Sequence, residues 1–241
     1  MAPRVWLILA AWASACAKPA APAAPTADAG RDMCAEGHLQ SPIDLHAVAR
    51  RGGAKLGFDY RPDRLEIANN GRTVEIEHHA ESRLWLDHRP FKLVQYHVHS
   101  PSEHTVEGQG FPLEIHFVHR DADGRLAVVG VLVREGVEEG REELAVRSVW
   151  SHLPRQVGQV EQVEAEVDPL DLIPPDHAHF FYKGSLTTPP CTEGVLWHVL
   201  ATPLPMSAEH VAAFRELYSD NARPVQRPDW CPLKAAALAP P

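Results

Sequence analysis

The chain has 241 residues, of which 44% are hydrophobic, and its formal net charge is −9. This length and hydrophobic content suffice for the core of one large domain or of two small ones. The net negative charge argues against electrostatic binding to nucleic acid or to anionic lipid. No apolar run in the sequence reaches the ~18 residues that a membrane-spanning helix needs.

The N-terminus has the pattern of an export signal. Arg4 supplies a positive charge, residues 5–13 form a short apolar core, and small residues follow. Residues 1–16 are therefore predicted to be a signal peptide, and the protein is expected in the periplasm or cell envelope.

Cys16 bears on how this signal is processed. Ser14 and Ala15 precede it, as small residues precede the lipidated cysteine of a bacterial lipoprotein, although Ala13 stands where leucine is usual. Two routes fit the segment. One is lipid attachment at Cys16, which would tether the protein to a membrane, and the other is ordinary cleavage near Ala15 or Ala17. We expect the first.

Residues 17–30 are rich in proline and alanine and have no hydrophobic periodicity. This composition predicts a tether without a fold of its own. Residues 31–241 are predicted to form one folded domain.

Between residues 58 and 133, short segments with turns between them predict a series of β-strands. No strand–helix–strand rhythm is present, which favours a mostly antiparallel sheet. The fold class is therefore mainly β, of the α+β type. The predicted strands are residues 65–68, 73–77, 83–86, 92–99, 113–119 and 126–133.

Two short helices are predicted after the strands. Residues 138–151 have helical spacing, with Leu144, Val146 and Val149 apolar among charged residues. Residues 207–218 begin with a serine suited to the N-cap and carry an acidic residue in the first turn, as a short helix would.

Histidines at alternate positions on two of the predicted strands suggest a metal site. Gln95, His97 and His99 should project from one face of the first strand, because side chains two apart point the same way. Glu114 and His116 should do so on the second strand. If the two faces coincide, three neutral imidazoles with an open fourth position form the ligand set of a catalytic zinc.

Histidine pairs of this kind also occur on strands that bind no metal, where each imidazole is simply hydrogen-bonded. Gln95 and Glu114 favour the metal, because each precedes a histidine by two residues on the same face. A metal-bound histidine needs an acceptor for its second ring N–H, and an amide oxygen or a carboxylate supplies one. His104 and His119 do not fit the geometry and are predicted to be structural.

The chain resembles the alpha-class carbonic anhydrases, zinc hydratases (carbonate dehydratases) that interconvert carbon dioxide and bicarbonate. The matching segments occur in the family's order and cover the chain from about residue 34 to residue 226. Besides the histidine strands, they are QSPIDL at 40–45, NNG at 69–71, LAVVGVL at 126–132, GSLTTPPCTEGVLW at 184–197 and NARPVQ at 221–226. The resemblance implies a large twisted central sheet with short peripheral helices, and residues 31–241 as the catalytic domain.

For the reaction, the resemblance implies that His97, His99 and His116 hold Zn²⁺ and that zinc-bound hydroxide attacks carbon dioxide. Thr187 would accept the hydrogen bond of that hydroxide and donate its own to Glu103. An ionised carboxylate only accepts hydrogen bonds, so Glu103 would fix the direction of the relay.

The resemblance also divides the substrate pocket into two halves. The backbone N–H of Thr187 and the hydroxyl of Thr188 would contact the substrate, carbon dioxide or bicarbonate. The apolar wall would consist of Val118, Val128, Leu186, Val195 and Trp197, and the polar wall of Asn70, Thr73, Glu75 and Gln95.

Two features depart from the family pattern. Arg72 follows NNG, where a proton-carrying histidine is very common, and an arginine does not deprotonate near neutral pH. His79, further along the strand, is the other candidate for that task. The aromatic-rich segment that usually precedes QSPI is also missing, which predicts a wider cavity mouth.

The remaining expectations concern cysteines and partners. Cys34 and Cys191 stand where exported members of the family carry a disulfide, whereas Cys231 has no evident partner. The resemblance leaves monomer and homodimer open. Two other functions compete with carbon dioxide hydration: a zinc hydrolase of activated esters, and a non-catalytic binding module, which would be expected to lack some of the ligand histidines.

Overall fold

The computed structural model describes residues 33–45, 50–51, 54–137 and 140–227. The predicted signal peptide, the predicted tether and Cys231 lie outside these residues. Within them, no helix is both long and apolar enough to cross a membrane.

The elements are mostly short strands. In the described part of the chain, the helices are α1 (Met33–Glu36), α2 (Arg141–Trp150) and α3 (Ala208–Leu217), with one 3₁₀ turn at Pro169–Leu172. The strands are β1 (Asp44–Leu45), β2 (Arg50–Arg51), β3 (Leu56–Asp59), β4 (Asp63–Asn69), β5 (Val74–Glu77), β6 (Arg83–Leu86), β7 (Arg89–His99), β8 (Thr105–Val106), β9 (Leu113–Arg120), β10 (Leu126–Glu135), β11 (Val160–Val167), β12 (His179–Ser185), β13 (Glu193–Leu200) and β14 (Leu204–Met206).

One 12-stranded sheet organises the domain. Its main path runs β11–β4–β5–β7–β9–β10–β13–β12–β2, with β14 beside β10 and with β3 joined through β6 to β7. Neighbours pair antiparallel except where β10 meets β13 and β14. The separate pair of β1 and β8 is parallel. The prediction of a mainly β, mostly antiparallel fold is confirmed.

The predicted strands between residues 58 and 133 are all present, with ends that differ by a few residues. Helix α2 is shorter than predicted: Val146 and Val149 are buried, but Leu144 is 62% exposed. Helix α3 begins after Ser207, whose hydroxyl accepts the His210 backbone N–H at 3.2 Å, as predicted. Strands β11 to β14 follow residue 133, where no strand was predicted.

An extra residue in β7 decides which side chains face the site. Leu93 pairs with His119, but Gln95 pairs with Val118, so Val94 is a bulge between the two registers. Because side chains alternate along a strand, the bulge turns Gln95 and the histidines after it to the face opposite to that of Leu93. The larger hydrophobic cluster includes Leu93, and the smaller cluster is on the other face of the sheet.

Cys34 and Cys191 form a disulfide, as predicted, with Cα atoms 5.1 Å apart. The guanidinium of Arg223 binds beside it, donating to the carbonyl oxygens of Cys34 and Ser41 at 2.9 and 2.7 Å. The N-terminal segment is thereby fixed against the loop before β13.

Candidate metal centre

The register of the sheet brings the three predicted histidines together. His97 on β7 stands directly opposite His116 on β9, and His99 lies two residues further along β7. Their ring centroids are 4.6 to 5.3 Å apart. One ring nitrogen from each lies within 4.8 Å of the others, so the three could hold one metal ion.

Each of these imidazoles uses one nitrogen for a polar partner. His97 Nδ1 lies 2.8 Å from Gln95 Oε1, and His99 Nδ1 lies 3.2 Å from the carbonyl oxygen of Asn221. His116 Nε2 lies 2.9 Å from Glu114 Oε1. This leaves Nε2 of His97, Nε2 of His99 and Nδ1 of His116 as ligand atoms.

One of these ligand nitrogens is buried without a partner, which favours a bound metal ion over simple core packing. His99 Nε2 is buried and has no hydrogen-bond partner among the described residues. A buried polar atom without a partner costs about 1–3 kcal/mol, so such atoms are rare unless a ligand satisfies them. Three histidine nitrogens are a ligand set that zinc takes in catalytic sites.

Burial also sets the charge of the rings. It lowers the pKa of His97 well below its ordinary value, and the neighbouring His99 and His116 add to the effect. Burial likewise lowers the pKa of His99. For His116 burial acts in the same direction, but the Glu114 carboxylate outweighs it and raises the pKa. His97 and His99 are therefore neutral at pH 7 and present lone pairs.

Glu114 links His116 to a second histidine. Its carboxylate is fully buried and contacts the ring and the backbone N–H of His104, each at 2.8 Å. Burial opposes its ionisation, but His104 and His116 prevail and hold the pKa of Glu114 well below its usual range. His104 Nε2 lies 2.7 Å from the hydroxyl of Tyr182, which donates to Ser41 Oγ at 2.9 Å.

His104, Glu114 and His116 also lie close enough together to hold a metal ion. Both ring nitrogens of His104 already have partners, however, so we interpret this group as a hydrogen-bond network. The network connects the QSPIDL segment to His116. His119, which was also predicted to be structural, contacts the Tyr60 hydroxyl at 2.6 Å and the Ala127 carbonyl at 3.2 Å.

Gly130 makes room for the Glu114 carboxylate. It pairs with His116 across the β9–β10 ladder. A Cβ at this position would lie 2.8 Å from Glu114 Oε1 and 3.3 Å from a Val199 methyl group. Both distances are shorter than ordinary van der Waals contacts, so a side chain there must displace the carboxylate.

We expect Gly130→Ala to cost about 1–3 kcal/mol of unfolding free energy, because it overpacks this point. Metal affinity should fall with it, since Glu114 is displaced from His116. Gly110→Ala is the matched control, because the nearest atom to its Cβ would be Ser102 Oγ at 3.7 Å. Urea denaturation and metal titration measure the two effects. Equal results for both variants would contradict the role assigned to Gly130.

Glu103 lies beside the ligand histidines. Its Oε1 accepts the backbone N–H of Arg223 at 2.8 Å and lies 3.5 Å from His99 Nδ1. Its Oε2 is 3.8 Å from His116 Nδ1 and has no hydrogen-bond partner within the described part of the chain. No hydrogen bond to Thr187 is formed among these residues, so the predicted relay from Thr187 to Glu103 stays a prediction.

A cavity of about 140 Å³ opens in front of His97 and His99. The predicted polar wall, the exposed Arg72 and Thr188 line it. The lining residues are Asn70, Arg72, Thr73, Glu75, Gln95, His97, His99, Thr188 and Asn221. In this wall, burial and the neighbouring Glu77 raise the pKa of Glu75.

The predicted apolar wall also forms one unit. Val128, Val195 and Trp197 belong to the smaller hydrophobic cluster, and Val118 and Leu186 pack against it. The Trp197 indole N–H donates to the carbonyl oxygen of Ser185 at 2.9 Å, and its ring centroid is 4.9 Å from that of His116. The apolar residues therefore adjoin a proposed metal ligand.

His78 and His79 lie elsewhere. His78 is buried and its Nε2 contacts Ser82 Oγ at 2.7 Å. His79 is exposed, with its Nε2 3.6 Å from Glu66. Neither is among the residues that line the cavity.

Asn221 is a site residue to which the sequence assigned no role. Its carbonyl oxygen lies 3.2 Å from His99 Nδ1. Its side-chain oxygen accepts the Ser100 N–H, and its side-chain nitrogen donates to the carbonyl oxygens of Arg72 and Val98. It is the first residue of the NARPVQ segment, and this match to the family was the one feature of the sequence that pointed to it.

Comparison with known proteins agrees with this geometry. A family model described as eukaryotic-type carbonic anhydrase matches residues 27–229. A carbonic anhydrase of Nostoc sp. is 38% identical over 200 residues, which make up 80% of this chain and 74% of that protein.

Solved structures give the same result. The alpha-carbonic anhydrase of Thermovibrio ammonificans, in complex with the inhibitor sulfanilamide, is 39% identical with a TM-score of 0.75, over 81% of this chain and 86% of that one. The alpha-carbonic anhydrase of Photobacterium profundum is 36% identical with a TM-score of 0.74, over 81% and 88% of the two chains. Since sequence and fold agree over most of the length, the chain belongs to the alpha-class carbonic anhydrase family, whose enzymes hydrate carbon dioxide.

Proposed function

We propose that the protein catalyses the reversible hydration of carbon dioxide to bicarbonate and a proton with Zn²⁺ held by His97, His99 and His116. One observation carries the proposal: each imidazole has a polar partner on one nitrogen and turns the other toward a shared point beside the cavity. That arrangement fixes the orientation of each ring before an ion binds. Zinc would supply a water nucleophile that ionises near pH 7 rather than near 15.7.

The chain's own residues would then orient the nucleophile. We assign Thr187 to accept a hydrogen bond from it and to donate its own hydroxyl hydrogen to Glu103. Oε2 of Glu103 has no hydrogen-bond partner among the described residues and is a suitable acceptor, whereas Oε1 already accepts the Arg223 N–H. With Glu103 ionised, the Thr187 hydrogen can point only toward the carboxylate, which leaves its lone pair for the nucleophile.

The apolar and polar groups of the pocket would contact different parts of the substrate. Carbon dioxide is small and apolar, so it would rest against the unit formed by Val118, Val128, Leu186, Val195 and Trp197. The Thr187 N–H and the Thr188 hydroxyl would contact the oxygens of the substrate or of bicarbonate. Gln95 and Glu114 would hold the ligand rings in place.

Proton release should depend on buffer. Arg72 stands at the cavity where a titrating group would be useful, and a guanidinium does not release its proton near pH 7. We expect Arg72→His to raise kcat at low buffer concentration and to leave kcat/KM unchanged, since substrate capture does not use the relay.

Arg72→Gln is the matched control for this experiment. It removes the same charge but adds no group that titrates near pH 7, so its kcat should remain limited by buffer. Stopped-flow hydration assays across buffer concentrations measure both variants. A parent kcat that is high and independent of buffer would show that another group carries the proton, and His79→Ala would then be the variant to measure.

The function itself is tested with a chelator. Carbon dioxide hydration should stop when a chelator removes the metal and return when zinc is added, with about one zinc per chain. Hydrolysis of an activated ester without carbon dioxide hydration would favour the hydrolase. Absence of both activities in the zinc-loaded protein would favour a binding module.

The remaining assignments are proposals of the same kind. We propose a signal peptide at residues 1–16 with lipid attachment at Cys16, a tether at 17–30, a catalytic domain at 31–241 and a location in the periplasm or cell envelope. The Cys34–Cys191 disulfide supports export, because such bonds persist in oxidising compartments. Mass spectrometry of the mature N-terminus would separate lipidation from ordinary cleavage.

A further inference from the structure

Residues 221–227 have no regular secondary structure, yet they hold two groups of the candidate metal centre. The Asn221 carbonyl oxygen lies 3.2 Å from His99 Nδ1, and the backbone N–H of Arg223 donates to Glu103 Oε1 at 2.8 Å. In a helix or strand, the backbone hydrogen bonds of the element itself would fix such groups. Here contacts with other parts of the fold must fix them.

The two ends of this segment are held by contacts of their own. At the first end, the Asn221 N–H donates to the Ser100 carbonyl at 3.0 Å, and Asn221 Oδ1 accepts the Ser100 N–H at 2.7 Å. At the other end, the Gln226 N–H donates to the Pro42 carbonyl at 2.8 Å. Neither set of contacts lies at residue 223, whose backbone N–H binds Glu103.

The guanidinium of Arg223 restrains this middle position. Its Nη1 donates to Gln40 Oε1 at 2.9 Å and to the Ser41 carbonyl at 2.7 Å, and its Nη2 donates to the Cys34 carbonyl at 2.9 Å. Gln40 and Ser41 are buried, and Cys34 is held by the disulfide. Because a guanidinium is a rigid planar fork, three fixed acceptors determine its place and limit the movement of the backbone behind it.

The Glu103 carboxylate depends on that backbone. It is 2% exposed, and Oε1 is the oxygen that accepts the Arg223 N–H. This bond fixes which oxygen remains for the Thr187 hydroxyl in the proposed relay. If the N–H moved, the carboxylate would be able to turn, and a misplacement of about 1 Å in a reacting group costs up to about 100-fold in rate.

We propose that the Arg223 guanidinium is a positioning group for the hydration reaction. By binding the N-terminal segment it fixes the backbone N–H of Arg223, and that N–H fixes the Glu103 carboxylate. The inference rests on the proposed role of Glu103 as the acceptor of the Thr187 hydroxyl. Arg223 acts through Glu103 and not on the substrate.

Hydrogen exchange tests the first step of this chain of contacts. Arg223→Lys keeps the positive charge, but an ammonium group does not reproduce the planar fork. We expect the amide of residue 223 to exchange with solvent at least about tenfold faster in the variant, because its local restraint is lost. The Asn221 amide should keep the parent's rate, since its contacts with Ser100 remain. NMR of the zinc-loaded protein measures both amides.

Kinetics test the second step. We expect Arg223→Lys to lower kcat/KM for carbon dioxide hydration at least about tenfold at 25 °C, because the nucleophile is oriented less well. This ratio is the appropriate measure, since kcat is expected to depend on buffer. Zinc content should stay at that of the parent, because Asn221 still holds His99. Gln226→Ala is the matched control: its side chain donates to the Pro224 carbonyl at 2.6 Å in the same segment, and kcat/KM should not change.

A double-mutant cycle separates positioning from general stability. If Arg223 acts through Glu103, Arg223→Lys should change kcat/KM by less than about twofold when Glu103→Gln is already present. A residue that only stabilises the fold would lower Tm and leave kcat/KM of the folded protein unchanged. The cycle therefore tests a coupling that a purely structural role does not produce.

The outcomes distinguish this inference from the proposed function. The parent's kcat/KM in Glu103→Gln would refute the role of Glu103 and this inference with it. A large loss in Glu103→Gln, with parent values of kcat/KM and amide exchange in Arg223→Lys, would refute the inference alone. An undiminished effect of Arg223→Lys in the Glu103→Gln background would do the same. Should Arg223→Lys fail to fold, Gln40→Met removes one acceptor of the guanidinium and must show the same two effects on a smaller scale.

Discussion

We expect His97→Ala to lower the rate of carbon dioxide hydration by at least about 100-fold, since loss of a ligand's outer hydrogen-bond partner alone costs 10–100-fold in affinity or activity. His97 stands opposite His116 in the sheet and is one of three imidazoles that face a shared point. Removal of one ring leaves two ligand nitrogens, too few for a stable catalytic zinc site. Zinc content and stopped-flow rates should therefore fall together.

Two further variants make this result specific. Gln95→Ala removes the acceptor of His97 Nδ1 but keeps the ligand, so its loss should be smaller, about 10–100-fold in metal affinity. His88→Ala alters an exposed turn residue and should change neither quantity. If His97→Ala retained one zinc per chain and the parent's rate, the proposed ligand set would be wrong.

Local patterns predicted the part of this site that lies on two adjacent strands. Alternation placed Gln95, His97 and His99 on one face of β7, and the ladder confirms that face. The pairing of His97 with His116 could not be read from alternation, because it depends on register. The bulge at Val94 shows why: one extra residue decides which half of β7 faces the site.

Residues distant in sequence were missed or assigned only by resemblance. Asn221 contacts His99 across 122 positions of the chain, and hydrophobic periodicity does not predict a contact of that kind. Gly130 lies in a matched segment, but the sequence does not show why a glycine is needed there. The structure shows that a side chain would collide with the Glu114 carboxylate.

The second large effect concerns stability. We expect the double variant Cys34→Ser/Cys191→Ser to lose about 4 to 5 kcal/mol of unfolding free energy, because the disulfide closes a loop with a sequence separation of 157. For a domain of about 200 residues this corresponds to a fall in Tm of about 10 to 15 °C. Urea denaturation and thermal scans of the oxidised parent and of the variant measure the change.

The position of the disulfide predicts a smaller effect on catalysis. The Cys191 N–H donates to the Thr188 carbonyl at 2.9 Å, and the Cys191 carbonyl accepts from Gln40 Nε2 at 3.3 Å. Both contacts remain available to a serine, so the loop that carries Thr187 and Thr188 should keep its place at 25 °C. We expect hydration rates within about twofold of the parent at that temperature, since the entropic effect of the cross-link falls on the unfolded chain.

Arg223→Lys separates the cross-link from the noncovalent clamp beside it. The guanidinium reaches Cys34 O, Ser41 O and Gln40 Oε1, and a lysine ammonium cannot reproduce this planar fork. Its loss should cost less than loss of the disulfide, about 1–3 kcal/mol, and should add to it only in part, because both restrain the same segment. A serine double variant within about 1 kcal/mol of the parent, combined with a large loss in Arg223→Lys, would show that the clamp rather than the disulfide stabilises this end of the fold.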